Sequence, residues 1–394
     1  MINETDADIA NITIQILRKY IEDEEFKGYD PYDLLNSRIK FSKLGHKFCF
    51  YATQIHKRNP INIRKLVLIK KTTNPKTLGI LLSAYSFLYK VENKEEYLIK
   101  MKEIYKVIIS VSTKGFSGFC WGLDYDYANS IEILPAYSPS IVVTSIVCSG
   151  IFEYYLITKD EDALSTLISA SEFALKDLDR TYENETVCFS YTTTKTDVTY
   201  NANGFCADLL SKVYYLTNEE EYLILAKSAT DFNINHQHAD GRWNYSKSKD
   251  GIEKEQVDFH QGYILDSLNN FIQYSGIKSK KYDGALQKGL DFYFQNQFNE
   301  DGKSLWRIPK EWPVDIHNQA QGIISFSELS YIDDKYYYFA SKVLDWSIKN
   351  MLSDDKVFYY RKYKNFNNKI SYIRWSQAWM FLAISKYLYY GKKK

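Results

Sequence analysis

Apolar positions fall at helical spacing through most of the chain, and the pattern repeats. Within residues 6–25, Ile9, Ile12, Ile16, Leu17, Tyr20 and Ile21 recur at the period of an amphipathic helix. Gly28-Tyr29-Asp30-Pro31-Tyr32-Asp33 interrupts it, because Pro31 biases Asp30 towards extended backbone and its neighbours favour turns. A second helical stretch covers 46–57 and stops before Pro60. The apolar and basic run 61–71 is expected to pack as a short helix.

From Asn74 onward a unit of roughly 57 to 65 residues recurs, the scale of a helical hairpin with an inserted loop. Its starts fall at Asn74-Pro75, Ser138-Pro139, Tyr200-Asn201, Asp258, Asp315 and Ser371-Tyr372. Each opens a helix rich in apolar and small residues. A tight polar turn such as Thr158-Lys159-Asp160 or Thr217-Asn218-Glu219 follows, and then a more amphipathic helix, as in 160–179 and 219–235. Longer aromatic connections lead to the next start, among them Gly118-Phe119-Cys120-Trp121-Gly122, Asp240-Gly241-Arg242-Trp243-Asn244-Tyr245 and Asp301-Gly302-Lys303-Ser304-Leu305-Trp306. Asp-Gly steps beside aromatics predict turns and short strands there.

Five hairpins, a last helix over 372–389 and the N-terminal helix together make twelve helices. Helices that are apolar all round belong inside, and amphipathic ones outside. The expected fold class is therefore all-α: an (α/α)6 toroid of two concentric rings. We read 1–394 as one domain, with 1–73 closing the ring and 74–394 supplying the repeated hairpins.

Composition narrows the function classes. The 50 basic residues nearly cancel the 49 acidic ones, so no global field steers nucleic acid to the chain. No uninterrupted run of about 18 apolar residues occurs, so no membrane span is expected. Five cysteines without CxxC spacing argue against a disulfide frame and for a reducing, cytoplasmic location. The 35 tyrosines reflect a composition also rich in Lys, Ile and Asn, and they also furnish stacking platforms of the kind sugar-binding clefts use. There is no GxGxxG, P-loop or GxSxG, and His236-x-His238 alone is weak as a metal motif, so neither a cofactor nor a metal is expected.

In such a ring the long loops lead directly into the inner helices, whose N-termini converge on one bowl with free N–H groups and partial positive charge. Polar residues at those starts are site candidates by position. The most distinctive are Asp258-Phe259-His260-Gln261 and Asp315-Ile316-His317-Asn318-Gln319, two Asp-x-His starts in successive repeats. Asp258 and Asp315 also suit helix capping, but capping does not account for the paired histidines. Either imidazole can serve as general acid or base near neutral pH, with its Asp fixing the tautomer.

Candidate proton-transfer groups are thus His260 and His317, with Asp258, Asp315 and Asp126 as orienting or sharing carboxylates. Candidate sugar-contacting residues are Trp121, Asp124, Asn201, Asn203, Trp243, Tyr245, Gln261, Gln319, Arg374, Trp375, Gln377, Tyr29 and Asp30, with Arg374 holding an anionic group.

Trp121-Gly122-Leu123-Asp124-Tyr125-Asp126, Pro139-Ser140-Ile141-Val142-Val143-Thr144, the two Asp-x-His starts, Phe26-Lys27-Gly28-Tyr29-Asp30-Pro31 and Arg374-Trp375-Ser376-Gln377-Ala378-Trp379 together resemble a bacterial and archaeal VpsJ-like family. Its members occur with polysaccharide-biosynthesis genes. The resemblance covers most of the chain and implies a toroid with a role in capsule, exopolysaccharide or lipopolysaccharide production. More distantly, the fold is similar to N-acylglucosamine 2-epimerases, unsaturated glucuronyl hydrolases and polysaccharide lyase toroids. The paired histidines of the epimerases are what His260 and His317 would imitate. A weaker similarity to terpene cyclase repeats rests on Gln297, Asp301-Gly302 and Trp306, with only Asp124-x-Asp126 as an acidic motif. The expected protein handles a sugar, oligosaccharide or glycan precursor by metal-independent epimerisation, elimination or hydrolysis. The alternative is a glycan-binding or assembly factor without catalysis.

Overall fold

The computed structural model describes residues 4–129, 132–194 and 198–394. Six inner helices are α3 (Pro75–Glu92), α5 (Ile141–Thr158), α7 (Tyr200–Thr217), α9 (His260–Ser275), α11 (Ile316–Glu328) and α13 (Ala378–Gly391). Their outer partners are α4 (Glu95–Ser110), α6 (Glu161–Lys176), α8 (Glu220–Asn235), α10 (Lys280–Asn296), α12 (Asp334–Met351) and α1 (Glu4–Asp23). Each inner helix packs on the next, and α13 packs on α3, so the ring closes with α1 outside α13. The toroid is the one the periodicity predicts.

The difference between rings is visible in burial. In α3 every residue from Pro75 to Leu88 is buried, whereas α6 buries one face only, including Ala163, Leu167, Ala170 and Phe173. Helix α5 is apolar and long enough to cross a bilayer, but 67% of it is buried inside the ring, which makes it a core helix.

Short turns on one face end the inner helices in left-handed caps at Asn93, Lys159, Asn218 and Gly276. Long loops on the other face return from the outer ring and form two- and three-stranded ribbons, such as Arg180–Glu183 with Thr186–Phe189. Gly241 and Gly302, one repeat apart in these loops, have φ of 100° and 91°. A Cβ there would meet the Lys288 and Lys342 carbonyl oxygens at 2.2 and 2.5 Å, so only glycine lets the loop turn against the outer helix.

Two expectations change. Residues 61–71 form turns rather than a helix, because Arg64 is drawn inward to bond Asp33 at 2.8 Å and the Asp30 carbonyl at 2.8 Å. The last inner helix begins with a π-turn over Ile373–Gln377 before α13. The remaining N-terminal helix, α2 (His46–Arg58), belongs to no hairpin and packs against the loops of the bowl face.

Candidate functional site

The bowl contains a cavity of about 310 Å³, within the usual range for small-molecule sites. Its geometry follows from the repeat. Each inner helix start places the residue two positions after its capping or flanking residue on the cavity wall: Lys76, Val142, Asn201, His260, His317 and Arg374. Asn74, Ser140 and Asp315 cap their helices through side-chain oxygens, which fixes where that residue points. Tyrosines, Phe259, Trp306 and Trp375 supply aromatic walls.

The two Asp-x-His starts are alike in backbone and unlike in chemistry. Asp258 Oδ1 accepts from the His260 N–H at 3.2 Å, and Asp315 Oδ1 accepts from the His317 N–H at 3.1 Å. The His260 imidazole then folds back, donating from Nδ1 to Asp258 Oδ1 at 2.5 Å and leaving Nε2 for the cavity. Gln256 and Arg307 complete the shell of Asp258, at 2.8 and 3.3 Å. Burial opposes its ionisation, but the charge of His260 and its hydrogen bond outweigh burial, and with Arg307 they hold the carboxyl below the usual range.

His317 points deeper. Its Nε2 lies 2.5 Å from the Tyr263 hydroxyl, and its ring packs among Phe259, Trp375 and Trp379 at centroid distances of 4.3, 4.9 and 4.8 Å. Burial, followed by the nearby charges of Lys76 and Arg374, pushes this imidazole well below its ordinary pKa, so it stays neutral. Burial also raises the Tyr263 phenol, which keeps its proton. Asp315 is occupied elsewhere, accepting from Arg361 at 2.7 Å and the Trp375 indole at 2.8 Å.

Of the residues singled out from the sequence, the cavity gathers His260, His317, Asp258, Asp315, Asn201, Tyr245, Arg374 and Trp375. Among the described residues Asn201 Oδ1 is buried without a partner, and the Tyr245 and His260 rings meet edge to face with centroids 4.8 Å apart. Arg374 lines the wall while its guanidinium forms a two-point ion pair with the buried Asp30.

The others are corrected. Trp121 and Trp243 are core wedges, donating their indole N–H to the Ile108 and Asn233 carbonyls at 2.9 and 2.7 Å, so they offer no face to a sugar. Gln261, Gln319, Gln377 and Asn203 are pins. Each accepts the backbone N–H of its incoming loop, at Trp243, Ser304, Phe358 and Phe189, over 2.7 to 3.0 Å. Thr144 does the same for Trp121 at 3.1 Å.

Three carboxylates also move out of the site. Asp126 stabilises a turn by accepting from Ala136 N–H at 2.8 Å. Asp124 is buried against Asn74, and that burial raises its pKa to about 6. With neither facing the cavity, the terpene-cyclase reading loses its acid. Asp30 anchors Arg374, while Tyr29 pairs with Tyr372 and lies under Arg64. His238, half of the His-x-His motif, pairs with Glu253 at 3.1 Å.

Sequence reading missed Lys76, Tyr263, Arg361 and two residues of the N-terminal insert, Tyr32 and Lys57. Lys76 was findable, because it stands at the same offset from Asn74 as each His from its Asp.

The fold is shared with solved sugar-acting proteins. The chain is similar to a cellobiose 2-epimerase from Bacillus thermoamylovorans, with a TM-score of 0.64 and 12% identity over 80% of this chain and 87% of that one. It is similar to a GH76 alpha-mannanase from Bacteroides thetaiotaomicron, with a TM-score of 0.65 and 14% identity over 81% and 86%. It is also similar to an unsaturated glucuronyl hydrolase specific for heparin, with a TM-score of 0.66 and 12% identity over 98% and 97%. At these identities the likeness shows the fold. No family model matches the sequence, and no curated protein does.

Proposed function

We propose that the chain is a carbohydrate-active enzyme that moves protons on a sugar or oligosaccharide of a surface polysaccharide, using acid and base groups of its own side chains. One observation carries this reading: two histidines from successive repeats meet in one cavity with different proton arrangements. His260, with Nδ1 tied to Asp258, presents Nε2 as a base. His317, neutral and joined to Tyr263, forms an acid relay on a second wall. A base and an acid held apart are what proton abstraction beside a sugar carbonyl, or elimination, requires.

The same geometry disfavours a hydrolase built on two carboxylates, since that chemistry needs one protonated carboxyl. Asp258 is held ionised, and Asp315 is bound by Arg361 and Trp375. The VpsJ-like motifs support a place in capsule, exopolysaccharide or lipopolysaccharide production, in the cytoplasm.

Solvent-deuterium exchange into a panel of neutral and acidic saccharides tests this. The intact chain is expected to place deuterium on a sugar carbon, and His260→Asn to abolish exchange while retaining binding. Saccharide binding with no exchange and no bond cleavage by the intact chain would replace this reading with a glycan-binding module.

A further inference from the structure

The cavity carries excess positive charge, and the part of it removed from solvent resides in two lysines. Six cationic side chains line it: Lys57, Lys76, Lys254, Arg307, Arg361 and Arg374. The three arginines are matched, Arg307 with Asp258 at 3.3 Å, Arg361 with Asp315 at 2.7 Å, and Arg374 with Asp30. Lys254 lies over the Tyr245 ring, 4.6 Å from its centroid. Among the described residues, Lys57 and Lys76 have no carboxylate at ion-pairing distance. Lys57 donates to the Tyr32 hydroxyl at 2.8 Å and sits 4.4 Å over the same ring. Lys76, only 8% exposed, lies 5.8 Å from the Trp379 ring centroid.

The two lysines come from unrelated elements. Lys57 lies in the last turn of α2, which the ring does not need, and Lys76 in the first turn of α3. Burying an ammonium without a counter-ion is unfavourable. The convergent N-termini of the inner helices add potential of the same sign. An anion in the cavity would relieve both.

Resting on the sugar-acting reading above, we propose that the substrate is an acidic saccharide whose carboxylate, sulfate or phosphate groups pair with Lys57 and Lys76. The titration of the two lysines agrees with this placement. Burial lowers both to about 7. For Lys57, Arg361, Arg58 and Arg307 add to burial and Asp315 opposes it; for Lys76, Arg374 adds and Asp30 opposes. His317 also faces Lys76. Both amines are therefore protonated below about 7 and lose charge above it, and a bound anion moves that loss to higher pH.

Calorimetry on the full chain with matched pairs tests the proposal. Cellobiouronic acid is compared with cellobiose, and glucose 6-sulfate and glucose 6-phosphate with glucose. The acidic member is expected to bind at least about tenfold tighter near pH 6.5. The advantage shrinks near pH 9 and in about 0.5 M salt. It is also lost in Lys57→Met and Lys76→Met, which weaken the acidic members far more than the neutral ones. Which acidic pair shows the largest advantage identifies the group.

Equal binding of acidic and neutral members, or variants that weaken both alike, overturns the proposal and leaves the sugar-acting reading standing. Failure of every saccharide to bind removes that reading and the proposal with it. NMR of the chain with ¹³C-methylated lysines tests the pairing without any substitution. The acidic ligand must raise the midpoints of both lysines by more than about one pH unit, and unchanged midpoints refute the pairing.

Discussion

The Tyr263 hydroxyl and His317 Nε2 stand 2.5 Å apart on neighbouring inner helices, a protonated phenol hydrogen-bonded to a neutral imidazole beneath the cavity. Removing the hydroxyl leaves the aromatic packing against Phe205 and Trp379 intact. Tyr263→Phe is therefore expected to fold normally and to lower turnover by about 10²-fold or more, the usual contribution of a positioned proton donor. Steady-state kinetics with a saccharide that the intact chain converts checks this. Loss confined to KM would assign Tyr263 to binding.

The neutrality of His317 also sets a pH dependence of stability. Its folded pKa lies below the ordinary imidazole value, chiefly because of burial and then Lys76 and Arg374. The unfolded chain therefore binds the proton more readily, and stability falls as pH drops through about 6.5. His317→Phe is expected to flatten that fall in denaturant titrations between about pH 7 and pH 5. Asp258, held below the carboxylate range, loses its contribution only at lower pH, below about 4.

Gln261, Gln319 and Gln377 test the distinction between pins and site. Each holds a buried loop N–H, so an alanine substitution strands a donor at a cost of about 1–3 kcal/mol. We expect Gln319→Ala to lower the midpoint of thermal unfolding and leave kcat/KM of the folded protein within about twofold. A selective loss of turnover without a change in unfolding would return the glutamines to the site.

The same glutamines mark the boundary of what a sequence carries. The repeat, its starts and the two rings follow from periodicity and caps, because a helix apolar all round can only be inside. The starts also locate the bowl, since loops must deliver their residues there. What periodicity omits is rotational phase. Gln261 directly follows His260, yet it turns outward to hold Trp243 while His260 faces the cavity. The offset shared by Lys76, Asn201, His260, His317 and Arg374 carries that phase, but it emerges only when the six starts are superimposed. Lys57 and Tyr32 lie beyond the reach of periodicity, because α2 and the turn that carries Tyr32 stand outside the repeat and their place at the bowl is set by tertiary packing.

Arg374 and Asp30, separated by 344 residues, join the last inner helix start to the N-terminal insert. Both are buried, and the Tyr125 hydroxyl donates to the same carboxylate at 2.8 Å. Arg374→Met leaves Asp30 charged and buried, a loss of about 3–5 kcal/mol. Adding Asp30→Asn is expected to recover much of it, and a double-mutant cycle in denaturant measures the coupling. Additive losses would show that the pair does not clamp the ring.

Asp258→Asn addresses the chemistry most directly. The carboxylate accepts from His260 Nδ1 and so fixes the neutral tautomer whose lone pair, on Nε2, faces the cavity. An asparagine of the same shape can turn its NH₂ to Nδ1, which forces the proton onto Nε2 and removes the base. Oδ1 accepts both the ring and the backbone bond, so the flip that presents NH₂ to Nδ1 also gives up the bond from the His260 N–H, and thermal unfolding of the variant is measured beside its turnover. Turnover is expected to fall by about 10²–10⁴-fold with little change in saccharide affinity. ¹⁵N spectra of the imidazole report the tautomer independently of activity. A reversed tautomer with undiminished turnover would remove His260 from the proton-transfer role, whereas an unchanged tautomer with lost turnover would point to the charge of Asp258 itself.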